Sequence, residues 1–248
     1  MTHLITVSCS GFSAPGVDVK LIQALGLRPT VERTHIGFMG CHGAINGLRV
    51  VCALTGADPA ARVLLCAVEL CSLHMRYGWD PDRVVANALF ADGAAAVVAA
   101  SSLDGARNVW NAKATGSCLI PDSSNAMSWD IGDHGFEMSL SPRVPDLIAE
   151  HLRPWIEQWL ARQGLCLRSV GSWAIHPGGP RILSAVERVL ELAPDATEVS
   201  REVLAECGNM SSPTVLFILE RLRNRNALLP CIALAFGPGL VVEAVLLA

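Results

Sequence analysis

A chain of 248 residues is long enough for a substantial core, as one large α/β domain or two small ones. Half of it is apolar and only 17% is charged, which points to extensive burial, a subunit interface included. The net charge of −4 leaves no basic footprint for nucleic acid, and no apolar run approaches the ~18 residues of a membrane-spanning helix.

Leu4 to Ser8 reads as a strand closed by Ser10-Gly11 and Pro15-Gly16, and a helix is expected over Val17 to Leu25, ended by Gly26. His35 to Met39 is a second short strand. It runs through Gly40 into a helix from about Cys41 to Thr55, apolar around most of its girth and therefore buried. Arg62 to Glu69 is a third strand, Asp82 to Phe90 a helix and Ala94 to Ala100 a fourth strand. Residues 101–142 are rich in Ser, Asp, Gly and Asn and are expected to form irregular strands and loops around a pocket. A helix then spans about Val144 to Arg162, and Ser172 to Ile175 is a strand. Pro180 suits the first turn of a helix reaching about Leu192, and helices follow over Ala196 to Cys207 and Pro213 to Arg223. Strands Cys231 to Phe236 and Leu240 to Leu247 close the chain around Gly237-Pro238-Gly239. Such alternation argues for an α/β layered fold with a mainly parallel sheet. Both halves place a reactive residue at a strand end beside a helix start, which suggests two related layers.

The nine cysteines are odd in number, scattered and without a CxxC pair, and most lie in apolar runs. That argues against a disulfide framework, and no cysteine–histidine spacing suits zinc, so no metal site is expected. The start of the chain shows no basic segment followed by an apolar core, so no signal peptide is visible and a cytoplasmic protein is expected.

Three segments carry chemistry: Gly40-Cys41-His42-Gly43, His176-Pro177-Gly178-Gly179 and Gly208-Asn209-Met210-Ser211-Ser212. A cysteine, a histidine and an asparagine beside glycines suit a nucleophile with two donors that hold an enolate oxygen. Cys41 opens the buried helix, whose N-terminus favours a thiolate, and it is expected to be the one cysteine selectively alkylated at neutral pH. Read singly, each residue has a plainer explanation. Cys41 could be a packing cysteine, His176 a satisfied turn histidine, and Asn209 a helix C-cap followed by a serine N-cap. His42, on a neighbouring helical position, reads as structural. His3, His35, His74, His134 and His151 have no supporting context for catalysis.

Cys41 within Gly-Phe-Met-Gly-Cys-His-Gly, the His-Pro-Gly-Gly-Pro run from His176 and the Gly-Asn-Met-Ser-Ser run around Asn209 resemble the type III polyketide synthases. These are the chalcone-synthase-like group of the thiolase-fold superfamily. Phe236-Gly237-Pro238-Gly239, Ser10-Gly11 with Ala14-Pro15-Gly16, and Ala88-Leu89-Phe90-Ala91-Asp92-Gly93 fit the same family. Glu69-Leu70-Cys71-Ser72-Leu73 is closer to its bacterial branch. The resemblance implies a layered α-β-α-β-α fold. Residues 1–102 would be the remainder of the first half, whose N-terminal portion is incomplete, and residues 103–248 the second half. It also implies roles. Cys41 accepts an acyl group from coenzyme A, while His176 and Asn209 hold the malonyl-CoA carbonyl as carbon dioxide leaves. Phe90 is the gatekeeper aromatic and Phe136, by a looser match, a second one. Cys71 and His74 fall where the family lines its cavity and sets product length, with Cys9 a further candidate, and Gly237, Pro238 and Gly239 shape the cavity floor. The implied substrates are an acyl-CoA starter and malonyl-CoA, with no resident cofactor, and the implied assembly is a homodimer. Two other readings stand beside this one: a single-condensation ketoacyl synthase, and an inactive remnant or interaction subunit.

Overall fold

The computed structural model describes residues 1–75, 77–79, 81–101, 109–133 and 135–248, so His134 lies outside it. Four strands, β1 (His3–Ser8), β2 (Glu32–Gly37), β3 (Arg62–Glu69) and β4 (Gly93–Ala100), form one sheet in the order β2-β1-β3-β4. A second sheet joins β5 (Ala112–Leu119), β8 (Ser172–Ile175), β9 (Cys231–Gly237) and β10 (Val241–Leu247) in the order β5-β10-β9-β8. A hairpin of β6 (Met127–Gly132) and β7 (Gly135–Leu140) stands apart from both. The helices are α1 (Val17–Ala24), α2 (Gly43–Ala57), α3 (Pro81–Leu89), α4 (Val144–Ala161), α5 (Pro180–Leu190), α6 (Glu198–Cys207) and α7 (Thr214–Asn224).

Side-chain alternation along β9 shows how the layers stack. Cys231, Ala233 and Ala235 point into one core with α2 and α7, while Ile232, Leu234 and Phe236 point into another with α4 and α5. A strand covered on both faces has to be apolar throughout, and every residue of β9 is buried. On the other side of α2 and α7 lie Ile5, Val7 and Leu65 of the first sheet. Helix α1 packs Leu21 and Ile22 on the outer face of that sheet, against Leu4 and Leu64. The order is thus helix, sheet, helix pair, sheet, helix pair. Helix α2 approaches the first sheet closely because Gly43 and Gly47 carry no side chain. A Cβ there would stand 2.8 Å from Val7 and 2.7 Å from Leu65.

The sheets are mixed rather than mainly parallel. β1 runs parallel to β2 and β3, and β8 to β9, but β3–β4, β9–β10 and β5–β10 are antiparallel. Two connections explain this. The three residues between β9 and β10 can only turn the chain back on itself. Helix α3, between β3 and β4, returns the chain to the end of the sheet it left, instead of crossing a face. A second difference is β5, a regular strand in a segment read as irregular. Its small, polar character reflects a close neighbour, since the Trp159 indole lies where a Cβ on Gly116 would be.

Candidate active site

Each of the three segments singled out by sequence arrives at a cavity of about 630 Å³ between the ends of the sheets, or just behind it. Cys41 and Asn209 line this cavity together, with the Cys41 thiol 4.0 Å from Asn209 Oδ1. Asn209 lies in an extended link between α6 and α7. Its N–H donates to Leu89 O at 2.8 Å and its carbonyl accepts from Ala91 N–H at 3.0 Å, which ties it to the backbone on both sides of Phe90. Its side-chain oxygen also accepts from Ser211 N–H at 2.9 Å. That leaves the amide Nδ2 as its free donor. His176 follows the last residue of β8 and is held by a bond from its N–H to Leu234 O, 2.8 Å. Its ring is fully buried and does not line the cavity, whereas Gly178 and Gly179 just after it do.

Among the described residues, four buried side-chain polar atoms have no hydrogen-bond partner. Three of them are the two ring nitrogens of His176 and Asn209 Nδ2, and the fourth is Thr214 Oγ1. Each such orphan costs roughly 1–3 kcal/mol, so a group kept in that state beside a cavity needs a reason. The backbone is strained at the same place. Phe38 and Ser211, neither a glycine, adopt φ of 59° and 57° beside the nucleophile turn and the asparagine.

The electrostatics correct one expectation. Cys41 does not open an α-helix: it sits in a short 3₁₀ turn, Gly40–His42, and α2 begins at Gly43. Burial pushes its thiol up to about 11, with the Glu69 carboxylate adding to the rise, while hydrogen bonding with Ser211 and Asn209 pulls the other way. Burial also holds His176 down at about 3, with His42 contributing. The site therefore contains a thiol and a neutral imidazole. Cys166 is the opposite case. It is exposed, and hydrogen bonds from Ser169 lower its pKa. Limiting iodoacetamide at neutral pH is thus expected to label Cys166 ahead of Cys41, with peptide mass spectrometry as the readout. Labelling of Cys41 first would show that the turn activates the thiol despite its burial.

The expected cavity residues are mostly in place. Cys9, Cys71, His74, Phe90, Phe136 and Pro238 all line it. Gly237 and Gly239 do not. The His42 ring occupies the space a Gly237 side chain would fill, and Gly239, at φ +125°, turns the chain toward β10, so only Pro238 of that loop reaches the cavity. Sequence reasoning gave Glu69 no role, although a carboxylate ending an apolar strand was a readable signal. It is buried and accepts from Cys9 N–H, Ser10 N–H at 3.0 Å, Ser10 Oγ at 2.6 Å and Ser212 Oγ at 2.9 Å. Trp129 was missed as well, because nothing in its aperiodic surroundings marks it.

The chain has counterparts in sequence and in fold. Residues 1–102 match the N-terminal domain of chalcone and stilbene synthases, and residues 112–248 match the C-terminal domain. An alpha-pyrone synthesis polyketide synthase-like protein of Mycobacterium tuberculosis is 34% identical over 98% of this chain and 64% of its own. The 1,3,6,8-tetrahydroxynaphthalene synthase of Streptomyces peucetius is 38% identical over 98% of this chain and 66% of its own. This chain thus spans somewhat less than two thirds of the length of those relatives. Two crystal structures superpose closely on it: PKS-I of the brown alga Ectocarpus siliculosus and the 1,3,6,8-tetrahydroxynaphthalene synthase of Streptomyces coelicolor. The first has a TM-score of 0.95 at 33% identity and covers all of this chain and 68% of its own. The second has a TM-score of 0.93 at 30% identity and covers all of this chain and 71% of its own. Type III polyketide synthases therefore provide its thiolase-like fold, and with both family domains matched across nearly its whole length, the chain belongs to the chalcone and stilbene synthase family.

Proposed function

We propose that this protein is a type III polyketide synthase that extends an acyl starter by decarboxylative condensation. The supporting observation is the set of unpartnered buried atoms on His176 and Asn209, with Asn209 beside the Cys41 thiol. Asn209 Nδ2 and the one N–H of the neutral His176 ring are donors for an acceptor that arrives with the substrate. In the first step the Cys41 sulfur attacks the thioester carbonyl of an acyl-CoA. A carbon–sulfur bond forms, coenzyme A leaves as thiolate, and the Cys41 proton passes through His176 to that leaving group. Malonyl-CoA then enters, and its terminal carbon–carbon bond breaks to release carbon dioxide. The electron pair forms an enolate whose oxygen accepts from Asn209 Nδ2 and the His176 N–H. The enolate carbon attacks the Cys41 thioester, forms the new carbon–carbon bond and expels the Cys41 thiolate. Neutrality of His176 suits this work, because a neutral imidazole donates without drawing the malonyl carboxylate away from the leaving position. The chemistry requires no metal and no resident organic cofactor.

The cavity beside Cys41 gives a growing chain room to fold and cyclise to an aromatic or pyrone product. Phe90 narrows its mouth as a gatekeeper, while Cys9, Cys71, His74, Phe136 and Pro238 shape its interior. A homodimer is the proposed assembly, supported by the low charge of the chain and by exposed Phe12 and Phe38 near the free β2 edge. Among the described residues, no helix is long and apolar enough to cross a membrane. A cytoplasmic location is part of the proposal.

The test is incubation of the purified protein with malonyl-CoA and a panel of acyl-CoA starters, followed by mass spectrometry of the products. Multiply extended, cyclised products are expected. A single extension would make the protein a ketoacyl synthase, and release of neither product nor carbon dioxide would favour an inactive remnant or an interaction subunit. Light scattering on the same sample reads the oligomeric state.

A further inference from the structure

His42 follows the nucleophile in sequence yet does not line the cavity. It begins a polar stripe, with Asn46 and Arg49 one and two turns further along the same side of α2. That side faces the second sheet. Arg49 forms an ion pair with Glu243, which is buried within β10, and also donates to Gly116 O on β5 at 3.2 Å. Ser117 Oγ donates to Glu243 Oε1 at 2.8 Å, and Asn46 Nδ2 donates to the same oxygen at 3.1 Å. His42 Nδ1 lies 2.7 Å from Asn46 Oδ1.

This row of partners fixes the position of each proton. The Glu243 carboxylate paired with Arg49 accepts only, so Asn46 presents its amide nitrogen to it and its oxygen to His42. That oxygen also accepts only, so the His42 hydrogen sits on Nδ1 and the lone pair on Nε2. Burial lowers the pKa of the ring, which is neutral. Its Cδ2–Nε2 edge packs over the backbone of Gly237, where a Cβ would stand 2.8 Å from Nε2 and 2.9 Å from Met39 O. On the other side of the nucleophile, a Cβ on Gly40 would stand 3.1 Å from Pro238 Cγ. Cys41 is thus flanked by two close contacts with the end of β9 and the residue after it.

We propose that His42 is a positioning residue for the thioester chemistry of Cys41. Held as an Nδ1–H imidazole through Asn46 and the buried Arg49–Glu243 pair, it seats the nucleophile turn on the end of β9. The thiol is thereby kept within reach of Asn209, 4.0 Å away. Tautomer and seat are linked. A hydrogen moved to Nε2 would break the bond to Asn46 and point into the backbone around Gly237. Asn46, which does not line the cavity either, therefore acts on Cys41 through His42.

The effect on acyl loading rests on the proposed transfer to Cys41, whereas the tautomer does not, and the two are measured separately. The tautomer is read from imidazole ¹⁵N shifts of the unliganded, histidine-labelled protein at about pH 8, where an unperturbed imidazole is neutral. Signals missing from His42→Leu identify the ring. A protonated Nδ1 with a bare Nε2 is expected in the wild type. Asn46→Val removes the acceptor and is expected to shift the hydrogen toward Nε2. A wild-type ring protonated on Nε2, or an Asn46→Val ring still protonated on Nδ1, would overturn the assignment.

Loading is followed by intact mass after rapid mixing with an acyl-CoA, with circular dichroism as the control for folding. His42→Leu and Asn46→Val are each expected to load Cys41 slower by about 10–10² at saturating acyl-CoA, the cost of a nucleophile displaced by up to ~1 Å. The half-saturating concentration stays unchanged. His42→Asn, whose amide nitrogen replaces Nδ1, is expected to recover most of the rate. A stripe that only stabilises the fold would lower the urea midpoint and leave folded variants loading at the wild-type rate, which would overturn the positioning role. Equal slowing in His42→Leu and His42→Asn would overturn it as well. Failure of the wild type to load any acyl group would overturn the proposed function and the positioning role with it, and leave the tautomer standing.

Discussion

Alanine at His176 or at Asn209 is expected to slow malonyl-CoA decarboxylation by about 10²–10³ in each case, equivalent to ~2.7–4 kcal/mol of lost transition-state stabilisation. The magnitude follows from the state of the two side chains in the folded protein. The ring nitrogens of His176 and the Asn209 amide nitrogen are buried and unpartnered, so a donor among them gains a bond to the enolate without breaking an existing one. The fold has less to lose. The Asn209 backbone stays tied to Leu89 and Ala91, and the bond that disappears is the one from Ser211 N–H to Oδ1. Carbon dioxide release from malonyl-CoA is the direct measurement, with circular dichroism as the control for folding. A variant that decarboxylates at close to the wild-type rate would reduce its residue to a structural cap.

Glu69→Ala is expected to produce the largest loss of stability from a single side chain, about 3–5 kcal/mol, because it removes the acceptor from a buried set of donors and leaves all of them unpaired. Cys9 N–H, Ser10 N–H, Ser10 Oγ and Ser212 Oγ converge on this one carboxylate. The Ser10 oxygen is held in place because it also accepts from Leu70 N–H at 2.7 Å, so its own hydrogen stays aimed at the position the carboxylate leaves. Glu69→Gln should be milder but still costly, as both carboxylate oxygens accept and an amide turns one of them into a donor. Urea denaturation followed by circular dichroism measures both. A loss below ~1 kcal/mol in Glu69→Ala would mean that water replaces the carboxylate without penalty.

Much of this architecture was readable because burial imposes strong patterns. The two-faced burial of β9 demands an unbroken apolar run, and Cys231 to Phe236 is one. The amphipathic α4 and α5 were equally legible, as were the glycine-flanked positions of Cys41, His176 and Asn209. What escaped was set by contacts distant in sequence. The parallel or antiparallel sense of β4 depends on where α3 lies, and no local period encodes that. Strand β5 lost its apolar signature because Gly116 makes room for Trp159. The start of α2 was misplaced by two residues, and with it the expected thiolate, because the 3₁₀ turn at Gly40 depends on φ +68° packed against Pro238. Motif residues marked the reacting groups, but the wall that faces them is built by His74 and Trp129, whose bonds run to backbone carbonyls and amides on other segments.

The two sheets differ at one margin. In the second, β10 runs antiparallel to β9 and carries β5 along its far side. In the first, β4 runs antiparallel to β3 in the same way, and among the described residues nothing pairs with its far side. The strand reads Gly-Ala-Ala-Ala-Val-Val-Ala-Ala, without a charge or a proline, and Val98 is 54% exposed. It has none of the devices by which sheet proteins blunt a margin: no lysine, no inward charge, no proline. Its outward amides and carbonyls form a template that any extended segment can copy. An extended segment that paired there would lengthen the sheet by one strand, as β5 lengthens the other beside β10.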